Sequence, residues 1–391
     1  MRRRLLPLLG LLLLAPFARA AEKPLPALVD EQFTFAARQY AGLIDRMAAE
    51  KDNRQPRSFI NGKFQTTDLE GWTSGFFPGS LWLIYEHTRD PRLKAAAEKY
   101  TARQEPIKNF TKHHDVGFML FGSYGQGQRI EPRAAYRDVL IQGARSLATR
   151  YNPTTGVIRS WDSPPWKFPV IIDNMMNLDL LWYAADEAKD ESLRAIALSH
   201  ANKTLANHFR PDGSNYHLHD YDPTTGAVIK RQTVQGFADD SAWARGQAWA
   251  LYGFTTMFRL AKDPAYLAQA CKIADFIASH PNLPADGIPY WDFNAPRIPD
   301  ALRDVAAGAI TCSALFELAT FADAGRAARY RALAEKQLRT LCTAAFRAGE
   351  GENGHFLLMH GVGHLPAKSE VDVPLVYADY YFLEALGRAV R

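Results

Sequence analysis

The sequence predicts an all-α fold in which helical hairpins stand around a ring, with long loops carrying the functional groups at one end. Three observations predict it. Apolar residues recur at helical spacing through most of the chain, and strand-like alternation is rare. A hairpin pattern repeats, in which an aromatic-rich helix leads through a short acidic turn to an alanine-rich helix. The segments between hairpins are long and rich in Trp, Asp and His, which marks working loops rather than connectors.

Along the chain, residues 1–20 stand apart. Arg2, Arg3 and Arg4 precede an apolar run from Leu5 to Leu14, and Ala18-Arg19-Ala20 makes a small-x-small ending. This is the layout of a cleavable secretory signal cut after Ala20, with an apolar run too short to span a bilayer. The expected mature protein is one domain, residues 21–391, periplasmic or secreted and not inserted in a membrane after cleavage. Helical spacing follows at Leu93–Tyr100, Leu178–Ala185, Leu193–Phe209, Trp249–Leu260, Tyr266–Ile277 and Ile310–Leu318. Hairpin turns fall at Asp90-Pro91, Asp190-Glu191 and Asp263-Pro264, with a fainter copy at Asp323. Each Asp can cap the next helix, and Pro is tolerated at a helix's first position. Spacings of some 60 to 100 residues do not fit a tight solenoid. They fit helical pairs in a closed ring, with an ordinary irregular helical domain as the alternative.

Charge and cysteine content exclude several functions. Without the four arginines of residues 1–20, which contain no acid, the chain holds 42 basic and 42 acidic residues, so nucleic acid is not an expected partner. A small anionic ligand needs only a few placed arginines. Cys271, Cys312 and Cys342 are odd in number and sit in apolar, alanine-rich settings, so they read as small reduced hydrophobes.

Three loops hold the candidate chemistry: Asn152 to Pro169 with four prolines and two tryptophans, His208 to Gln235, and Ala285 to Pro299. Aromatic faces beside acids and amides suit a pyranose, whose apolar face stacks while polar groups take its hydroxyls. His113-His114-Asp115-Val116-Gly117-Phe118 is either a polar helix end or a site acid beside a glycine that allows close approach; as a metal site its adjacent histidines are poorly spaced. Asp173 lies between two isoleucines and two methionines, where desolvation would raise its pKa toward that of a general acid; the bland alternative makes it the cap of the helix running to Ala185. In Gln235 to Trp249, Asp239, Asp240 and Ser241 can cap a helix starting near Ala242, pairing Trp243 with Gln247 and Arg245 with Trp249 at i, i+4. Arg245 offers a forked donor suited to a carboxylate, or a merely structural pair.

These segments, with Trp72-Thr73-Ser74-Gly75-Phe76-Phe77-Pro78-Gly79 and Asp379-Tyr380-Tyr381-Phe382-Leu383-Glu384-Ala385-Leu386, resemble the unsaturated glucuronyl hydrolases of glycoside hydrolase family 88 from about Gly71 to the C-terminus. The resemblance implies an (α/α)6 barrel, six helical hairpins in a toroid, with neither metal nor other cofactor. It implies general acid/base chemistry at Asp173 with Asp115 as essential partner, and substrate binding by His217, Gln235, Trp243, Arg245 and Trp249. Trp72, His114 and Trp161 would be further wall residues. The implied partner is a small oligosaccharide bearing a 4,5-unsaturated uronate, met by a monomer or homodimer. One departure is Arg303-Asp304-Val305-Ala306-Ala307-Gly308, where many relatives carry serines after the Arg-Asp. Alternatives are a hydrolase of unsaturated galacturonyl-rhamnose, an (α/α) barrel lyase or epimerase, and a sugar-binding protein.

Overall fold

The structure, a computed structural model, describes residues 22–391. The expected leader lies outside the described residues. The helices are α1 (Leu25–Ala48), α2 (Phe76–Thr88), α3 (Pro91–Ala102), α4 (Val116–Leu120), α5 (Gln126–Ile130), α6 (Ala134–Ala148), α7 (Leu178–Ala188), α8 (Glu191–Asn207), α9 (Ala244–Ala261), α10 (Pro264–Ser279), α11 (Val305–Leu318), α12 (Ala324–Leu341) and α13 (Val376–Ala389). A π-helical stretch, Phe121–Gly125, joins α4 to α5, so the two run as one interrupted helix.

The helices alternate between an inner and an outer ring. α2, α4–α5, α7, α9, α11 and α13 contact one another in that order, and α13 closes the ring against α2. This is the (α/α)6 toroid that the resemblance implies. Sequence explains the assignment: Phe76 to Tyr85 of α2 and nearly all of α11 are buried, because an inner helix is covered on every side. Outer α12 buries only a stripe, Tyr330, Ala334, Gln337, Leu338 and Leu341, at helical spacing. Asp379 helps fasten the closure. Its carboxylate accepts from the Leu357 and Leu358 amides at 2.9 and 3.0 Å and from the Tyr40 hydroxyl of α1 at 3.3 Å.

All four expected Asp turns cap outer helices. Asp90, Asp190, Asp263 and Asp323 accept a backbone N–H at the starts of α3, α8, α10 and α12. In three turns the preceding residue is a left-handed basic one, Arg89, Lys189 or Lys262, with φ of 56 to 58°. The capping expected near Ala242 is not formed. α9 begins at Ala244 after Trp243, Ser241 donates to Asp292 at 2.7 Å, and Asp239 accepts from the Thr233 amide. These side chains are drawn instead to partners distant in sequence.

Strands decorate one end of the ring as antiparallel pieces: β1 (Arg54–Ile60) with β2 (Lys63–Asp68), β3 (Tyr151–Asn152) with β4 (Val157–Ile158), β5 (Pro169–Ile171) with β6 (Leu218–Tyr221) and β7 (Val228–Gln232), and β8 (Gly361–His364) with β9 (Ser369–Val373). Among the described residues, no helix is long and apolar enough to cross a membrane.

Candidate active site

The inner helices share one polarity, and their N-terminal ends converge. Asp115 precedes α4, the 3-10 turn Ile172–Asn177 precedes α7, Arg245 opens α9, Asp304 caps α11, and Tyr377 opens α13. Trp72, just before α2, lies 4.8 Å from Tyr377 ring to ring. Six helix N-termini therefore place the positive ends of their dipoles at this mouth, which favours an anionic ligand.

Strand register delivers Asp173. β5 pairs with β6 so that Ile171 faces Leu218, and the ladder continues with the Ile172 amide donating to the His217 carbonyl at 2.9 Å. Asp173 and His217 thus meet, with Nε2 3.7 Å from the Asp173 carboxylate. The alternative, capping role for Asp173 is absent: it lies inside the 3-10 turn and makes no cap bond, and α7 starts only at Leu178. Its Oδ2 is buried with no partner. Burial raises its pKa to about 7; Arg245 opposes this, and the negative charge of Asp115 adds to it.

Asp115 reaches the same cleft because α4 docks against that turn. The Phe118 amide donates to Asn177 Oδ1 at 3.0 Å, and a Cβ at Gly117 would come within 2.5 Å of Asn177 Cα. Only glycine permits this approach. Burial works against the charge of Asp115, yet His114, His113 and Arg150 outweigh it and hold the pKa below the ordinary value. His114 is 3.3 Å and His113 3.0 Å from its two oxygens. Buried His114 is itself pushed down to about 4, so near neutral pH it serves as an uncharged donor. The pair is therefore polarised: Asp173 holds a proton where Asp115 does not.

His217 is neutral in the same range, because burial, with Arg245 nearby, lowers its pKa well below the ordinary value. Nδ1 accepts from the amides of Val234 at 3.0 Å and Gln235 at 3.3 Å, which leaves the hydrogen on Nε2, facing Asp173. Gln235 is half-buried and donates to the Gly363 carbonyl of β8 at 3.2 Å.

Three candidates sit differently from their expected roles. Arg245 is 1% exposed, and its guanidinium is already bonded to Asp304 at 2.7 Å and to the Val362 and Gly363 carbonyls. The fork expected to take a ligand carboxylate is thus largely occupied; it fixes β8 and α11 instead. Trp249 is fully buried between Phe118 and Tyr381, 5.1 and 5.3 Å away, and Trp243 is 2% exposed with its ring 4.6 Å from His217. Neither offers a free ring face to a sugar. The Trp249 N–H, which has no hydrogen-bond partner, lies toward Asp173 and favours its ionised form.

Trp72 and Trp161 are half-buried, as are Trp166 and Trp182. Trp161 stands edge-on to Trp166 at 5.3 Å and follows Ser160, whose carbonyl accepts from the His114 amide at 3.0 Å. Sequence reasoning did not single out His113, Ser160, Asp304 or Tyr377 as site residues. His113 could have been suspected from its place two residues before Asp115; nothing local marks the others.

A cavity of about 960 Å³ opens at the opposite mouth, among the C-terminal parts of the inner helices, lined by Asp179, Tyr183, Tyr252, Glu317, Glu384 and Arg388 among others. Gly117 and Phe118 belong to its lining, but Asp115 and Asp173 do not. Among the described residues, no group of three or more His, Cys, Asp or Glu is placed to hold a metal ion.

The model of Glycosyl Hydrolase Family 88 matches residues 43–286. An unsaturated glucuronyl hydrolase of Formosa agariphila is 49% identical over 320 residues, covering 81% of this chain and 79% of its own length. An unsaturated chondroitin disaccharide hydrolase of Streptococcus agalactiae is 32% identical over 368 residues, covering 92% of this chain and 91% of its own length. The crystal structure of an unsaturated glucuronyl hydrolase specific for heparin superposes with a TM-score of 0.90 at 41% identity, over 93% of this chain and 97% of that one.

Proposed function

The chain belongs to Glycosyl Hydrolase Family 88, and we propose that it releases a 4,5-unsaturated glucuronic acid from the non-reducing end of lyase-generated oligosaccharides. The observation that carries this reading is the polarised carboxyl pair: a buried Asp173 with its pKa pushed to about 7, electrostatically coupled to an Asp115 held ionised.

The substrate's C4=C5 double bond and ring oxygen form an enol ether, so its electron-rich carbon is C4. Asp173, protonated, delivers its proton there, and positive charge develops on C5 and the ring oxygen. Asp115, ionised, stabilises that charge. Water then adds at C5 and returns a proton to Asp173. The resulting hemiketal opens to a C5 ketone and frees the C1 hydroxyl, and the C1 hemiacetal collapses to an aldehyde, expelling the aglycone alcohol. The glycosidic bond breaks without attack on the anomeric carbon, which separates this chemistry from the usual two-carboxylate glycosidases. The His217 N–H, held toward Asp173, can donate to the carboxylate left after protonation of C4. The converging helix N-termini suit the uronate's negative charge.

Ultraviolet absorbance tests the reading, because hydration destroys the conjugated double bond. Lyase-generated chondroitin, hyaluronan and heparin disaccharides should lose absorbance with this enzyme. Loss with rhamnogalacturonan disaccharides alone would move the assignment to the related hydrolase. Binding without consumption would make it a sugar-binding protein, and a rise with intact polysaccharide would make it a lyase. Export rests on residues 1–20, and N-terminal sequencing of secreted protein should begin at Ala21; an intact Met1 on secreted protein would overturn it.

A further inference from the structure

We propose that His113 is a positioning residue for this reaction: it is the cation that keeps Asp115 ionised and aimed into the cleft. The inference rests on the hydrolase reading above and assigns a role to a residue outside the acid pair.

The geometry gives His113 two acceptors. Nε2 lies 2.9 Å from the Glu70 carbonyl and Nδ1 3.0 Å from Asp115 Oδ2. An imidazole that donates from both nitrogens is protonated. One contact competes: the Asp115 amide approaches Nδ1 at 3.3 Å, but the carboxylate is closer and charged. The His113 ring, 24% exposed in its side chain, also packs edge-on against Phe110 at 4.4 Å. Its pKa is raised; burial opposes protonation, but the Asp115 carboxylate overcomes it.

The other neighbouring charges make their direct pairs elsewhere, and Arg150 adds only a through-space pull on Asp115. Lys112 pairs with the Glu70 carboxylate at 2.6 Å, Arg150 at the end of α6 with Asp162 at 3.0 Å, and Arg245 with Asp304 at 2.7 Å. His114, on the other Asp115 oxygen, is neutral near pH 7. From the 172–177 turn, Asp173 presents only a like charge or a proton. Among the described residues, His113 is thus the charged group in direct contact with Asp115. Without it, burial raises the proton affinity of Asp115, so its carboxylate is lost at a higher pH and the bias that keeps the pair's single proton on Asp173 shrinks.

His113→Gln tests this, since glutamine can donate to Asp115 without carrying charge. Against an unsaturated disaccharide, the acidic limb of the kcat profile should move up by about 1 unit, so that kcat falls about tenfold at pH values below that limb and little above it, while KM stays within about twofold. An acidic limb that does not move, in a variant that melts with the wild type, overturns the proposal. A second measurement does not depend on the variant folding: ring 15N shifts of His113 in the wild type near pH 7 should be those of an imidazolium, and a neutral tautomer overturns the proposal. If the wild type consumes no unsaturated disaccharide, the hydrolase reading has failed, and the 15N result still decides the charge on His113.

Discussion

Replacing Asp173 by asparagine separates chemistry from stability. The amide matches the protonated acid in shape but cannot deliver a proton, so turnover should fall by two or more orders of magnitude, the scale of general acid catalysis, while substrate still binds. Stability should move the other way. Asp173 is 9% exposed, and its pKa rises from 3.8 unfolded to about 7 folded. Because the folded pKa is the higher one, the folded state holds the extra proton between these values, and stability is lost as pH rises through that window. Linkage gives a penalty of about 2 kcal/mol near pH 5 and about 4 kcal/mol near pH 8. The asparagine variant carries no such penalty, so its advantage in urea unfolding should grow by about 2 kcal/mol between those two pH values. Unimpaired turnover would end the catalytic assignment, and an advantage independent of pH would refute the titration argument.

Three further outcomes follow from the same geometry. Asp304→Ala leaves the guanidinium of Arg245 buried without its carboxylate, in a pair 1% and 0% exposed, and should cost about 3–5 kcal/mol in chemical denaturation; a loss below about 1 kcal/mol would contradict the burial. Gly117→Ala puts a methyl group 2.5 Å from Asn177 Cα, so kcat should fall at least tenfold as Asp115 moves from Asp173, with about 1–3 kcal/mol lost in stability; wild-type turnover would mean the two backbones separate harmlessly. Asp263→Ala removes the cap of α10, which the Ala265 amide reaches at 2.8 Å; unfolding should register about 1 kcal/mol and the disaccharide assay no change.

Residues legible in sequence were those whose role is settled within a helical turn. Asp90, Asp190, Asp263 and Asp323 each cap a helix two or three residues on, so their spacing announced the hairpins. The same local logic failed where a distant partner wins. Asp173 and Ser241 are as suited to capping as those four, yet the Asp173 carboxyl is turned into the cleft and Ser241 is taken by Asp292, which no i, i+3 rule foresees. Trp243, Trp249 and Arg245 carried the right chemistry for sugar and carboxylate, but composition is silent on which ring faces and which N–H groups remain free after packing.

The chain by itself determined the helical hairpins, the absence of a basic surface excess and the residues available for acid–base chemistry, because periodicity, capping and charge count are local or additive properties. Tertiary structure alone decided that Asp115, Asp173 and His217, up to 102 positions apart, share one mouth of the ring, and that two aspartates of identical chemistry hold opposite protonation states. Proton affinity depends on the water removed and the charges brought near, and both are fixed only when α13 closes against α2 and the six helix ends converge.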